Sequence, residues 1–298
     1  MAWSVAKLLF EHRDYLDRLT PCLDRMVADP SVAVRTQVPY ALCAVLNVDR
    51  GRAVAWFLRL CQDVSVEDDV FFAGHYPFEF LRHAMHTHLA RLFPILDRMC
   101  VSSHDKVRSH GAQLISMAAL LHPSAVERAD ACVNGDEVQR EAAATIAAAN
   151  VTHAEGRERC ERILRRLFDD PAHDVRRAAA NVFARLDPNS LQEYSELIEA
   201  FIDRDSFPGQ AFAFVNALEK CTSALPDVVC TTFERYLDAL RAPAAPQRHA
   251  FPYRCETLVL RLYEDTRDPS IKRRCLDIFD RMVAQELMAS DDLLGERR

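Results

Sequence analysis

The sequence contains two stretches with one shared pattern: PCLDRM at residues 21–26, followed by Val34-Arg35, and PILDRM at residues 94–99, followed by Val107-Arg108. Each matched position of the second stretch lies 73 residues after its counterpart, which fits two repeats of roughly 36 residues. A third Asp-Arg-Met element lies at residues 280–282. Periods of this size are typical of helical-hairpin solenoids. The spacing therefore predicts a chain of two-helix repeats.

A buried stripe can be followed along the second helix of each predicted repeat. It starts at an anchor residue and continues with apolar or small residues at +4, +7, +8 and +11, which share one helix face. We predict seven such helices, anchored at Val34, Val70, Val107, Val138, Val175, Phe214 and Phe251. Residues 1–298 are accordingly expected to form a single repeat domain of about seven hairpins. A helix near 270–287 is expected to begin an eighth.

The composition also favours helix. Only seven of 298 residues are glycine, whereas average usage of about 7% would give about twenty. Strand turns and phosphate-binding loops both depend on glycine, and seven glycines are too few for a fold built on them. Most all-β folds, dinucleotide-binding folds and P-loop enzymes are therefore excluded. Asp-Pro pairs at 29–30, 170–171, 187–188 and 268–269 are expected to end one helix and begin the next. The predicted class is all-α.

Charge and cysteine usage restrict the environment and the partners. The formal net charge is −7, which disfavours a general nucleic-acid binder, because phosphate binding requires basic residues. The ten cysteines are spread singly and are expected to remain reduced thiols. No signal-peptide core and no apolar run of ~18 residues is present, so we expect a cytoplasmic protein without a membrane span.

The sequence resembles HEAT repeats, whose pattern has a proline in the first helix, an aspartate near the turn, and Val-Arg opening the second helix. The resemblance covers about residues 13–287 and implies a right-handed superhelical solenoid. It also implies that the Val-Arg arginines pair with turn aspartates. Gly74 and Pro77 depart from the pattern, as does Gln139 in place of arginine. The matching residues are Pro21, Asp29, Val34 and Arg35; Pro94, Asp105, Val107 and Arg108; and Asp170, Val175 and Arg176.

The stretch from Phe78 to Asn150 also resembles C-terminal helical-repeat regions of large bacterial STAND-type NTPases, through residues 80–83, 110–112 and 132–136. In such proteins the repeats recognise a trigger and a separate NTPase domain responds. This resemblance implies a sensor module in bacterial defence or signalling, with a covalent upstream effector domain. A solenoid normally has a polar capping repeat at each end, and the sequence shows no clear one. We therefore expect the chain to be a segment of a longer protein.

The candidate partner-binding residues fall into two groups. Residues 71–80, FFAGHYPFEF, either fill the core or present Phe72, His75 or Tyr76 as an aromatic recognition patch. Polar residues off the buried stripe of second helices would line the concave surface, where repeat proteins usually bind. These are Tyr40, His110, Gln113, Arg140, Arg177 and Asn181.

The functional hypothesis is a non-catalytic scaffold or sensor that binds a protein on its concave face. His83, His86 and His88 lie close together but lack the further ligands of a metal site, so we expect no metal and no cofactor. No catalytic motif is recognisable. Two alternatives remain: a HEAT-like DNA-binding protein or DNA glycosylase, which the charge disfavours, and a chromophore-lyase-like enzyme with a reactive cysteine.

Overall fold

A computed structural model describes residues 2–62, 69–221, 225–240 and 255–285. These residues contain α-helices and short 3₁₀ helices, and none of them lies in a β-strand, so the all-α prediction is confirmed. The chain divides into two compact units, Met1–Ile146 and Ala147–Arg298. Whether one repeat type runs through all 298 residues stays a prediction.

The first unit contains helices α1 to α9, of which α9 continues past the division between the units. Helix α4 packs against both α1 and α6, and α7 packs against α6. Their bounds are α1 Ala2–Glu11, α2 Leu16–Val27, α3 Val32–Arg35, α4 Val38–Leu46, α5 Arg50–Gln62, α6 His75–Cys100, α7 Asp105–Leu121, α8 Val126–Val133 and α9 Glu137–Asn150. Short 3₁₀ helices cover Arg13–Tyr15, Asp69–Ala73 and Pro123–Ala125.

The second unit contains the remaining helices. Helix α12 packs between α10 and α14, and α14 packs against α16, while α13 packs against α11. Their bounds are α10 Arg157–Leu167, α11 His173–Ala180, α12 Ser195–Ile202, α13 Phe207–Leu218, α14 Pro226–Ala239, α15 Cys255–Asp265 and α16 Pro269–Ala284. Two 3₁₀ helices cover Asn181–Ala184 and Pro188–Tyr194.

The four Asp-Pro pairs each precede a helix, as predicted. In every case the aspartate carboxylate accepts a hydrogen bond from the backbone N–H two residues later, at 2.7 to 3.0 Å. This contact satisfies one of the free N–H groups at a helix start, and proline presets the backbone for the first turn. The aspartates are Asp29, Asp170, Asp187 and Asp268.

The aspartate of the repeated Pro-x-Leu-Asp-Arg-Met motif pairs with an arginine of a later helix in both copies. Asp24 of α2 lies 3.1 Å from Arg59 of α5 and accepts a hydrogen bond from the Trp56 indole at 2.9 Å. At the matching position 73 residues later, Asp97 of α6 lies 2.8 Å from Arg128 of α8. Both aspartates therefore join one helix to a later, adjacent helix. These pairs are half-exposed, so they orient helices more than they stabilise them.

The Val-Arg arginines behave differently from one another. Arg108 pairs with Asp105 and with Asp136, both at 2.6 Å, so the predicted contact with turn aspartates is confirmed there. Arg176 instead donates to the backbone carbonyls of Asp170 and Pro171, at 2.6 and 2.9 Å. Its guanidinium therefore holds the turn before α11 through two backbone carbonyls.

The anchor predicted at Val70 is wrong. Val70 is 58% exposed and lies in a 3₁₀ helix that ends at Ala73. Gly74 then adopts an extended backbone, and a helix begins only at His75, with Pro77 in its first turn. Helix α6 continues through a kink at His88 to Cys100, so a kink replaces the loop that two separate helices would need. The anchor at Phe251 lies outside the described residues.

Candidate functional site

Helix α1 presents two large aromatic side chains to solvent. Its buried face contains Val5, Ala6 and Leu9, which pack into the core. Trp3 and Phe10 are 62% and 49% exposed, and their separation of seven residues places them on one side of the helix. Aromatic rings exposed at this spacing contribute nothing to the buried face of α1, so they are candidates for contact with another molecule.

Tyr40 of α4 connects these rings to helix α6. Its ring centroid lies 6.0 Å from that of Trp3, 6.3 Å from that of Phe10 and 5.0 Å from that of Tyr76. The His75 ring lies a further 5.5 Å from Tyr76. Aromatic pairs at these distances attract each other, which holds the rings in place. We call Trp3, Phe10, Tyr40, His75 and Tyr76 the aromatic surface.

The structure thus brings together three of the predicted partner-binding residues, Tyr40, His75 and Tyr76. The prediction for Phe72 is wrong, because its side chain is fully buried. It lies in the 3₁₀ helix Asp69–Ala73, where its ring contacts Phe71 at 5.1 Å and lies under the Arg98 guanidinium at 5.8 Å. Phe72 therefore belongs to the core beneath this region.

His110 and Gln113 lie on α7 of the same unit, and their contacts are structural. His110 is half-buried; its Nδ1–H donates to the backbone carbonyl of Phe72 at 3.0 Å, and its ring packs 4.6 Å from Phe78. Burial lowers the pKa of His110, which favours the neutral ring in this contact. Gln113 donates to the Ser109 hydroxyl at 3.2 Å.

The other predicted residues lie apart from the aromatic surface. Arg140 donates to the carbonyl of Gly135 at 2.7 Å and so caps the turn before α9. In the second unit, Arg177 lies 3.2 Å from Asp174. Asn181 lines a shallow groove of about 350 Å³ that also includes the exposed ring of Phe212.

Sequence reasoning missed Trp3 and Phe10, because α1 lies before the first copy of the repeated motif. A signal was nevertheless present. Once Val5, Ala6 and Leu9 are assigned to the core, Trp3 and Phe10 fall together along one edge of that buried face.

The possible metal ligands and the thiols can be located in the described residues. They contain no group of three or more His, Cys, Asp or Glu side chains placed to hold a metal ion. None of the ten cysteines forms a disulfide bond, and eight of them are buried. Burial raises the pKa of Cys160 to about 11 and, together with Glu79, raises the pKa of Cys43 to about 12. Such thiols are poor nucleophiles at neutral pH.

None of the helices in the described residues combines the length and the apolar character that crossing a lipid bilayer requires.

Comparison with known proteins does not place the chain in a family. No family model matches the sequence, and no curated protein matches it. Among solved structures, one similarity is to an engineered protein whose crystal structure was determined by the Northeast Structural Genomics Consortium. It covers 98% of this chain and 80% of that chain, with 14% identity and a TM-score of 0.42. Similarity at this level supports no conclusion about fold or function.

Proposed function

We propose that the protein is a non-catalytic recognition module and that the aromatic surface of its first unit binds a protein partner. The observation that carries this proposal is the set of four rings, Trp3, Phe10, Tyr40 and Tyr76, in contact across three helices. Trp3 and Phe10 are exposed, and Tyr40 and Tyr76 are half-buried beside them. Tryptophan and tyrosine dominate the binding energy of protein interfaces, because they bury a large area and lose few rotamers on binding. Rings that already contact one another lose still less freedom.

A HEAT-like repeat architecture within each unit is part of the same proposal. It is supported by arginine–carboxylate pairs between helices about one repeat apart, such as Arg59–Asp24 in the first unit and Arg165–Glu196 in the second. In this arrangement α1, α4 and α6 contribute to the face of second helices on which repeat proteins bind. The partner of a STAND-type sensor would be a trigger protein, and that assignment stays a prediction.

The test is a selection of random peptides displayed on phage, performed against the wild-type protein and against Trp3→Ala. Trp3 is mostly exposed, so its truncation should leave the fold intact, which circular dichroism would check. Val101→Ser is a matched control, because Val101 is 81% exposed in the same unit but is not part of the aromatic surface. We expect the selected peptides to bind the wild type and the control but not Trp3→Ala. Selected peptides that bind all three equally would overturn the proposal.

DNA binding, the alternative from a different class, predicts another result. A duplex oligonucleotide would then bind tightly, with an affinity that falls steeply as salt concentration rises. We expect no such binding at physiological salt.

A further inference from the structure

A group of basic side chains lies around the middle of α6. Arg50, the first residue of α5, donates to the backbone carbonyl of His83 at 3.2 Å and to the Thr87 hydroxyl at 3.4 Å. Arg82 lies 3.3 Å from the Nε2 atom of His83. His86 is one turn further along, near His122 at the end of α7. We call Arg50, Arg82, His83, His86 and His122 the basic cluster.

The basic cluster is only partly neutralised by carboxylates of the described residues. Glu79 is the acidic neighbour: it pairs with Arg82 at 2.6 Å and lies 3.6 Å from His83. The charged groups that act on His86 are Arg50 of α5, His122 at the end of α7, and Arg82 and His83 of its own helix. All of them are basic. Two guanidinium groups therefore lie beside one carboxylate, and protonation of the histidines adds further positive charge.

The basic cluster continues the aromatic surface along one helix. His75 and Tyr76 lie in the first turn of α6, and His86 lies ten residues after Tyr76. Ten residues of α-helix span about 15 Å. An extended polypeptide covers that distance with about five residues. A single short segment can therefore contact both regions.

We propose that the occupant of this surface is an acidic polypeptide segment. It places apolar side chains on Trp3, Tyr40 and Tyr76, and it places carboxylates at Arg50 and His86. This inference rests on the proposed function, and it adds the chemistry of the partner. The argument for it is charge complementarity, because guanidinium and imidazolium groups pair with carboxylates, and an apolar partner without charge would leave the basic cluster unused.

The histidines give this interaction a definite pH dependence. Burial, followed by the four basic neighbours, lowers the pKa of His86, so its ring is neutral at neutral pH in the free protein. A carboxylate beside it favours the imidazolium form and raises the pKa again. Binding then takes up a proton, so affinity should increase as the pH falls from about 8 to about 6.

The test uses the composition of the peptides selected on phage, and a duplex DNA oligonucleotide as a competitor. Selected peptides that are rich in Asp and Glu beside an apolar residue, and that depend on Trp3, would support the inference. Peptides that depend on Trp3 but have no acidic bias would overturn it while leaving the proposed function intact. If no selected peptide depends on Trp3, the proposed function itself fails. Displacement of an acidic peptide by the duplex DNA at physiological salt would also overturn the inference, in favour of nucleic acid.

Variants of the basic cluster give a second, independent readout. For one selected acidic peptide, Arg50→Gln should lower the affinity about tenfold, and Arg50→Lys should restore part of it. His86→Gln should remove the increase in affinity at lower pH. Each variant should keep the wild-type circular dichroism spectrum. Unchanged affinity and unchanged pH dependence in folded Arg50→Gln and His86→Gln would contradict the assignment of the carboxylate positions.

Discussion

Gly111 of α7 lies where two helices approach closely, and replacing it with alanine should destabilise the first unit. A Cβ atom at this position would lie 2.8 Å from Cβ of Met99 and 2.9 Å from the backbone nitrogen of Cys100, both in α6. A backbone atom cannot move aside as the end of a flexible side chain can. The contact between α6 and α7 must therefore open to admit the methyl group.

The size of the effect follows from two opposing terms. Overpacking of a well-packed core costs about 1–3 kcal/mol. Replacing glycine by alanine within a helix contributes about 1 kcal/mol in the opposite direction. Because the conflict involves backbone, we expect the upper part of the first range. The net loss should be about 1–2 kcal/mol for Gly111→Ala.

Urea unfolding followed by tryptophan fluorescence measures this loss directly, because both tryptophans, Trp3 and Trp56, lie in the first unit. Gly51→Ala is the matched control within the same unit. A Cβ atom at Gly51 would contact only the Asp49 carboxylate, at an ordinary 3.5 Å, so this variant should be as stable as the wild type or more so. A Gly111→Ala variant as stable as the wild type would refute the close approach of α6 and α7.

Three further outcomes are expected. The first is a double-mutant cycle in which Asp97 and Arg128 are replaced by alanine and unfolding is measured in urea. The coupling energy should be about 0.5–1 kcal/mol, because the pair is half-exposed. A coupling energy of zero would show that the pair does not orient the two helices. The stability of the first unit should fall as the pH drops through about 6.5, because the lowered pKa of His110 means that the unfolded chain binds more protons than the folded one. His110→Gln should flatten that pH profile, and an unchanged slope would contradict the argument. Burial raises the pKa of Cys43 to about 12, so at pH 8 this thiol should be alkylated at least about a hundredfold more slowly than the amino acid cysteine in solution. Alkylation followed by mass spectrometry measures the rate. Fast labelling would favour the alternative of an enzyme with a reactive cysteine.

Features that depend on short stretches of sequence could be predicted well. The Asp-Pro pairs determine helix starts through a carboxylate and an N–H two residues apart, so no tertiary information was needed. The repeated motif was recognisable from its spacing, but the contacts that Asp24 and Asp97 make with arginines of later helices were not predicted. The all-α class followed from composition and from helical periodicity.

Features that depend on how helices meet could not be predicted. For Phe72 the sequence left both the core and the recognition patch open, and the structure places its ring in the core, within a 3₁₀ helix that the helical periodicity did not predict. Trp3 and Tyr40 lie 37 positions apart in sequence, and only the packing of α1 against α4 brings their rings together. The aromatic surface is a product of that packing, so no local pattern contains it.

The central claim is that the aromatic surface of the first unit carries the binding energy for a protein partner. Titration calorimetry with one selected peptide tests it most directly, using the wild type, Trp3→Ala, Tyr40→Ala and the control Val101→Ser. Truncation of an interface residue of this kind costs about 2 kcal/mol or more, which is about a thirtyfold loss of affinity. We predict that loss for Trp3→Ala and for Tyr40→Ala, with no change for Val101→Ser. Equal affinity for all four folded proteins would contradict the claim.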